Sequence, residues 1–261
     1  LILISCAVSS FVVEKAAANL ALEAEKEAED EIDTGEKILI TLAYPDTVTE
    51  MVDFGLILKP EKNNVPVYAL TIVSDDEDNN TSQASGKKMM EKAIEQAAAA
   101  ENTIIPLMRY DMNISNAIIY TIKEQNITDV VIGLHKNANQ KDFLGPIAEN
   151  ILSRSGETIF IYKNVQPFNT LNRMVVAILP NAERESGFQH WFSRILTIAK
   201  AGGLSFQFFA SEPTISQLKK MNALSPSPVT ALYNVFTSWE DFLILSRELK
   251  QNDLFVIVSS R

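Results

Sequence analysis

Two stretches of this chain carry out the same programme in the same order, and that repeat limits the folds open to it. Lys37 to Ala43 (KILITLA) and Arg173 to Leu179 (RMVVAIL) are short, β-branched apolar runs, each preceded by a linker. Downstream of the first comes Glu124-Gln125-Asn126-Ile127-Thr128-Asp129-Val130-Val131-Ile132, and downstream of the second Lys250-Gln251-Asn252-Asp253-Leu254-Phe255-Val256-Ile257. A polar helix end, an aspartate and a buried apolar run recurring in this way mark two copies of one α/β unit.

With 261 residues, 46% of them hydrophobic, the chain is long enough to bury two cores. The net charge of −10 argues against a nucleic-acid partner, because phosphate backbones are held by basic faces. Most of that charge is local. Glu14 to Glu36 carries nine acids and two lysines, and Asp75-Asp76-Glu77-Asp78 adds four more acids, so the acidity belongs to a linker and a loop. One cysteine, Cys6, makes no internal disulfide and suits a reducing compartment.

In the first copy, strands are expected at Lys37 to Ala43, Val65 to Val73, Thr103 to Met108, Val130 to Leu134 and Thr158 to Tyr162. Between them lie helices from an Asp46 cap to Lys59, from Gly86 to Ala100 after a polar loop, from Asn113 to Gln125 and from Pro146 to Ser153. The second copy repeats the order with strands at Arg173, Leu204, Val229 and Leu254. Its helices are expected over Glu185 to Ala201, Thr214 to Met221 and Ser238 to Lys250; it lacks the last helix and strand. Alternating strands and helices predict α/β architecture: two tandem open, doubly wound parallel sheets, preceded by a helix, the second incomplete. The domains are 37–165 and 173–261. Open edges invite pairing, so a buried contact is expected between the copies or between two chains.

The start of the chain has a different character. Leu1 to Val13 is apolar and uncharged, and thirteen helical residues reach about 20 Å, short of a bilayer core. It reads as the end of a transmembrane helix, with 14–36 as an acidic helical linker. His135 and His190 are the only histidines and have no ligand at metal-binding spacing, so no metal is expected. Phe188, Trp191, Phe192, Ile195 and Leu196 form an apolar helical stripe that predicts core.

The order of elements and the stretch from Asp129 through Gly133 to Gly145 resemble the universal stress protein domain. Nucleotide-binding members of that family carry G-x2-G-x9-G-(Ser/Thr) after the fourth strand, where glycines let the backbone approach phosphate and a helix N-terminus favours the anion. This chain keeps Gly133 and Gly145. Lys136 stands at the second glycine, the next spacer is one residue short, Pro146 replaces the hydroxyl residue, and Ala43-Tyr44-Pro45 lacks the family's acid at the end of the first strand. The resemblance makes Gly133, Lys136 and Gly145 the candidate nucleotide loop, with no cofactor expected and an adenine nucleotide as the alternative.

Taken whole, the chain resembles the cytosolic tail of bacterial monovalent cation:proton (sodium/hydrogen) antiporters. The likeness rests on Leu3-Ile4-Ser5, Ser10 to Ala17 and Ile38 to Thr47. It implies a regulatory or assembly domain on the cytoplasmic side of the inner membrane. Such a domain is neither an enzyme nor a transporter; its partners are the membrane-embedded transport domain of the same protein and a second copy in a homodimer. The rival reading is a tandem universal stress protein that binds an adenine nucleotide.

Overall fold

The computed structural model of the chain describes residues 35–60, 65–73, 79–134, 144–225, 228–236 and 242–259. The expected membrane-helix end, all but the last two residues of the linker, the acidic 75–78 run, Lys136 and the Ser238 cap lie outside them.

The first unit runs β1 (Ile38–Leu42), α1 (Val48–Ile57), β2 (Val67–Val73), α2 (Asn79–Ala99), β3 (Ile105–Tyr110), α3 (Ile114–Gln125), β4 (Asp129–Gly133), α4 (Gly145–Arg154) and β5 (Thr158–Tyr162). The second runs β6 (Arg173–Ile178), α5 (Phe188–Gly202), β7 (Ser205–Ala210), α6 (Glu212–Leu224), β8 (Ala231–Val235), α7 (Phe242–Glu248) and β9 (Asp253–Val258). Every strand pairing among the described residues is parallel, in the orders β3-β2-β1-β4-β5 and β8-β7-β6-β9, so both copies wind the same way.

Local chemistry moves several boundaries from where sequence placed them. Thr47, not Asp46, occupies the N-cap of α1, because the chain turns there with Thr47 N–H and its hydroxyl both donating to the Tyr44 carbonyl. α2 begins at Asn79, well before Gly86. Gly86 is instead a point of close approach, where an added Cβ would lie 3.1 Å from Thr71 Cγ2. β8 begins at Ala231 because the Asn222 side chain engages Val229 through both its amide hydrogen and its oxygen, 2.8 and 3.0 Å. A 3-10 turn at Ala182–Arg184 delays α5 to Phe188. α3 starts one residue after its expected bound because Asn113 is its cap: Asn113 Oδ1 accepts from the Asn116 N–H, and Asn126 ends the helix in the left-handed region.

The strand register aligns the copies residue by residue. Ile38 pairs with Val67 and Asp129, and Met174 pairs with Phe206 and Leu254. Ile38 and Met174 both enter the core shared by the two units, which fixes them as counterparts. Asp129 therefore corresponds to Leu254, and Asp253 to Thr128. The two aspartates that match in the sequence repeat are one residue out of register, and a one-residue offset sends side chains to opposite faces of a sheet. Arg173 takes Asp253 on the α7 side of its own unit at 3.0 and 2.5 Å, beside Gln207 and Glu248. Asp129 faces the other way, toward the second unit.

The contact expected between copies is present within the chain. One apolar cluster contains Val52, Phe54 and Leu58 of the α1 region, Met89 and Ala93 of α2, Phe192 and Ile195 of α5, and Phe206 and Phe208 of β7. The aromatic stripe on α5 is core, as its spacing predicts: Phe188, Phe192, Ile195 and Leu196 are buried. The connection between units packs down too, since Phe168 lies so near α5 that a Cβ on Gly202 would meet its ring at 2.8 Å. The opposite face of the second sheet is more open. Ile257, the counterpart of Ile132, is 50% exposed against 7%, because α4 covers Ile132 and no described helix stands in that place in the second unit.

Phe192→Ala removes a ring that is 1% exposed from this shared core. The expected outcome is a loss of about 3–5 kcal/mol in urea denaturation, with both units still unfolding in one transition.

Candidate functional site

The sheet order of the first unit creates a crevice. β1 leads to α1 and β2 on one side and β4 leads to α4 and β5 on the other, so the order reverses between β1 and β4; open parallel sheets bind ligands outside the carboxyl ends of their strands at such a point. Thr47, Glu50, Met51, Gly133, Leu134, Tyr162 and Asn164 line a cavity of about 20 Å³ there. Glu50 sits in the first turn of α1, where the positive helix end favours a carboxylate. Its Oε2 atom is shut from solvent and has no hydrogen-bond partner. Burial, with the negative charges of Glu50 and Asp53, pushes the Tyr162 hydroxyl up to about 12, so it stays protonated at neutral pH.

Of the residues singled out in sequence, Gly133 ends β4 at the crevice and Gly145 opens α4; Lys136 lies outside the described residues. Gly133 has a packing reason for being glycine, since an added Cβ would lie 3.0 Å from Met51 Sδ. Gly145 has a backbone reason: its φ of +73° is left-handed, with open space where a Cβ would stand. Leu144 at the N-cap of α4 offers no side-chain cap, and Pro146 contributes no amide hydrogen. In the second unit Val258 is the counterpart of Gly133, so the glycine is not repeated.

A second polar cluster, at the amino ends of the same strands, was invisible in the sequence. Asp129 is fully buried; its Oδ2 accepts from Arg194 at 2.7 Å and its Oδ1 from His190 at 2.7 Å. Arg194, 2% exposed, also donates to the Leu58 carbonyl at the end of α1 and lies 3.1 Å from Glu36. Burial works to raise the Asp129 pKa, but hydrogen bonds from His190 and Arg194 and the charge of Arg194 outweigh it and hold the carboxyl below its ordinary value. His190, set aside as lacking a carboxylate at ligand spacing, has two within reach once folded. Spacing along the chain carried no such signal, because the partners are 61 and more residues away. Among the described residues no cluster of metal ligands forms.

No protein-family model and no curated protein sequence matches the chain. Solved structures do. A universal stress protein from Archaeoglobus fulgidus has a TM-score of 0.53 at 14% identity, over 81% of this chain and 82% of that one. A universal stress protein in complex with cAMP scores 0.41 at 18% identity, over 49% of this chain and 96% of its own, and one from Lactobacillus plantarum 0.40 at 13%, over 48% and 96%. The likeness is one of fold: two α/β units of the universal stress protein type in one chain. No helix among the described residues is long and apolar enough to cross a membrane.

Arg194→Ala strands a buried carboxylate, so stability should fall by about 3–5 kcal/mol in urea denaturation; combining it with Asp129→Leu, which removes the charge, should recover much of the loss. The pH dependence follows from the direction of the shift. A lowered folded pKa gives stability that is fully present above the unfolded value of about 3.9 and is lost as pH falls through the folded one. Asp253 is also lowered: burial opposes the shift, and hydrogen bonds from Arg173 and the Lys250 N–H outweigh it. Acid unfolding curves should therefore steepen below about pH 4, with Asp129→Asn removing part of the slope and Asp253→Asn another part.

Proposed function

We propose that the chain is a non-catalytic binding module of tandem universal stress protein fold, which takes an adenine nucleotide at the crevice of its first unit. The observation that carries this reading is the crevice itself: a switch point lined by Gly133 at the end of β4, the strand that leads on to the uncapped Gly145 start of α4. The adenine assignment rests on the resemblance of the Gly133 to Gly145 stretch to the family's nucleotide loop. Thr47, Glu50, Tyr162 and Asn164 supply acceptors and a phenol held protonated, not an activated nucleophile, which supports binding over catalysis. Glu50 disfavours negative charge inside the cavity, so phosphate belongs over the start of α4.

The same helix that lines the crevice reaches the second unit. α1 carries Glu50 and Met51 in its first turns, and the Leu58 carbonyl at its other end accepts from Arg194. Ten helical residues span about 15 Å, so α1 is a short rigid strut between ligand site and interface. This strut gives ligand occupancy a physical route to the second unit.

Melting curves with AMP, ADP, ATP and cAMP test this reading. A ligand at a hundred times its dissociation constant should stabilise the fold by about 2.7 kcal/mol. Gly145→Val, which forces a side chain into left-handed backbone, should abolish the shift. No shift with any of the four at millimolar concentration would remove the nucleotide from the proposal.

A second reading places this module as the cytosolic regulatory or assembly tail of a monovalent cation:proton antiporter, in a homodimer at the cytoplasmic face of the bacterial inner membrane. The apolar Leu1 to Val13 and the acidic linker that follows favour it. Fractionation of source cells decides it: carbonate-resistant recovery of the native protein in the membrane pellet supports the tail, and recovery in the soluble fraction rejects it.

A further inference from the structure

Within the crevice, Glu50 Oε2 accepts no hydrogen bond, and three of the neighbouring donors are already engaged. The Thr47 hydroxyl donates to the Tyr44 carbonyl at 3.1 Å, the Tyr162 hydroxyl to Asn164 Oδ1 at 3.4 Å, and the Leu134 N–H to the Tyr162 carbonyl at 2.8 Å. Met51 and Leu134 line the wall with apolar side chains. Glu50 Oε2 is left shut from solvent without a partner, and a buried acceptor in that condition is costly unless something donates to it. The donor must be small. A cavity of about 20 Å³ holds one water-sized group and not a ring.

We infer that Glu50 is the specificity-determining residue of the crevice: it accepts a hydrogen from the exocyclic amino group of the ligand's base and so selects aminopurines over oxopurines. This rests on the nucleotide reading above and sharpens it. An amino group matches the cavity in size and supplies the missing hydrogen, while the rest of the base stays outside. A carbonyl at the same place would put an acceptor against a carboxylate, leaving both unpaired and repelling. Glu50 lies on α1 and not at the end of the first strand, where Ala43-Tyr44-Pro45 offers no carboxylate.

The test is a pair of dissociation constants, for AMP and for IMP, measured by calorimetry on the whole chain. In the wild type AMP should bind at least about tenfold more tightly than IMP. Glu50→Gln keeps the shape and adds an amide that donates to the oxopurine, so the preference should collapse toward equality through a gain in IMP affinity. Equal binding of AMP and IMP by the wild type overturns the inference while leaving nucleotide binding in place; a water then serves as Glu50's donor. If neither binds, the nucleotide reading itself falls and the inference falls with it. An unchanged preference in Glu50→Gln also overturns it, and the wild-type comparison stands alone should that variant not fold.

Discussion

A buried carboxylate without a cation of its own governs how the two halves of this protein meet. Asp129 begins β4 fully buried, and no described cation of the first unit pairs with it; Arg194 and His190 arrive from α5 of the second unit. Removing an ion from water costs several kcal/mol, and only close pairing with further hydrogen bonds repays it. The pair therefore adds little net stability over an apolar contact, but it tolerates no other alignment. The apolar cluster drives the two units together, and the charge fixes how they sit.

The second unit shows the same problem solved locally. Asp253 is held by Arg173 from the adjacent strand, so its sheet asks nothing of a neighbour. The difference comes from a one-residue offset in register. Thr128 occupies the position of Asp253, and its hydroxyl bridges the Lys37 carbonyl and the Asp129 carboxylate, leaving the acid one step further on and facing the partner unit. Near-identical phrases thus produce opposite outcomes, one cluster closed on itself and the other open to the adjoining unit.

Crevice and interface lie at opposite ends of the first sheet, joined by α1. Its amino end brings Glu50 and Met51 to the switch point, and its carboxyl end offers Leu58 to Arg194. Phe54, between them, stacks on Tyr162 with ring centroids 4.2 Å apart, tying the helix to β5 and to the wall of the crevice. Any group that settles in the crevice touches the first turn of a helix whose last carbonyl is part of the interface.

The sequence by itself determined the fold class, the tandem repeat, the succession of strands and helices and the apolar stripe of α5, because these follow from periodicity and from turn and cap residues a few positions apart. It also placed Gly133 and Gly145 at a strand end and a helix start. Tertiary structure alone decided which aspartate faces which unit, because a single residue of register inverts a side chain and short phrases tolerate gaps. It alone brought His190 and Arg194 to Asp129 across more than 60 residues, and it alone left Glu50 without a donor. Burial and pairing of charge depend on which surfaces meet, and surfaces meet only after the local elements have formed.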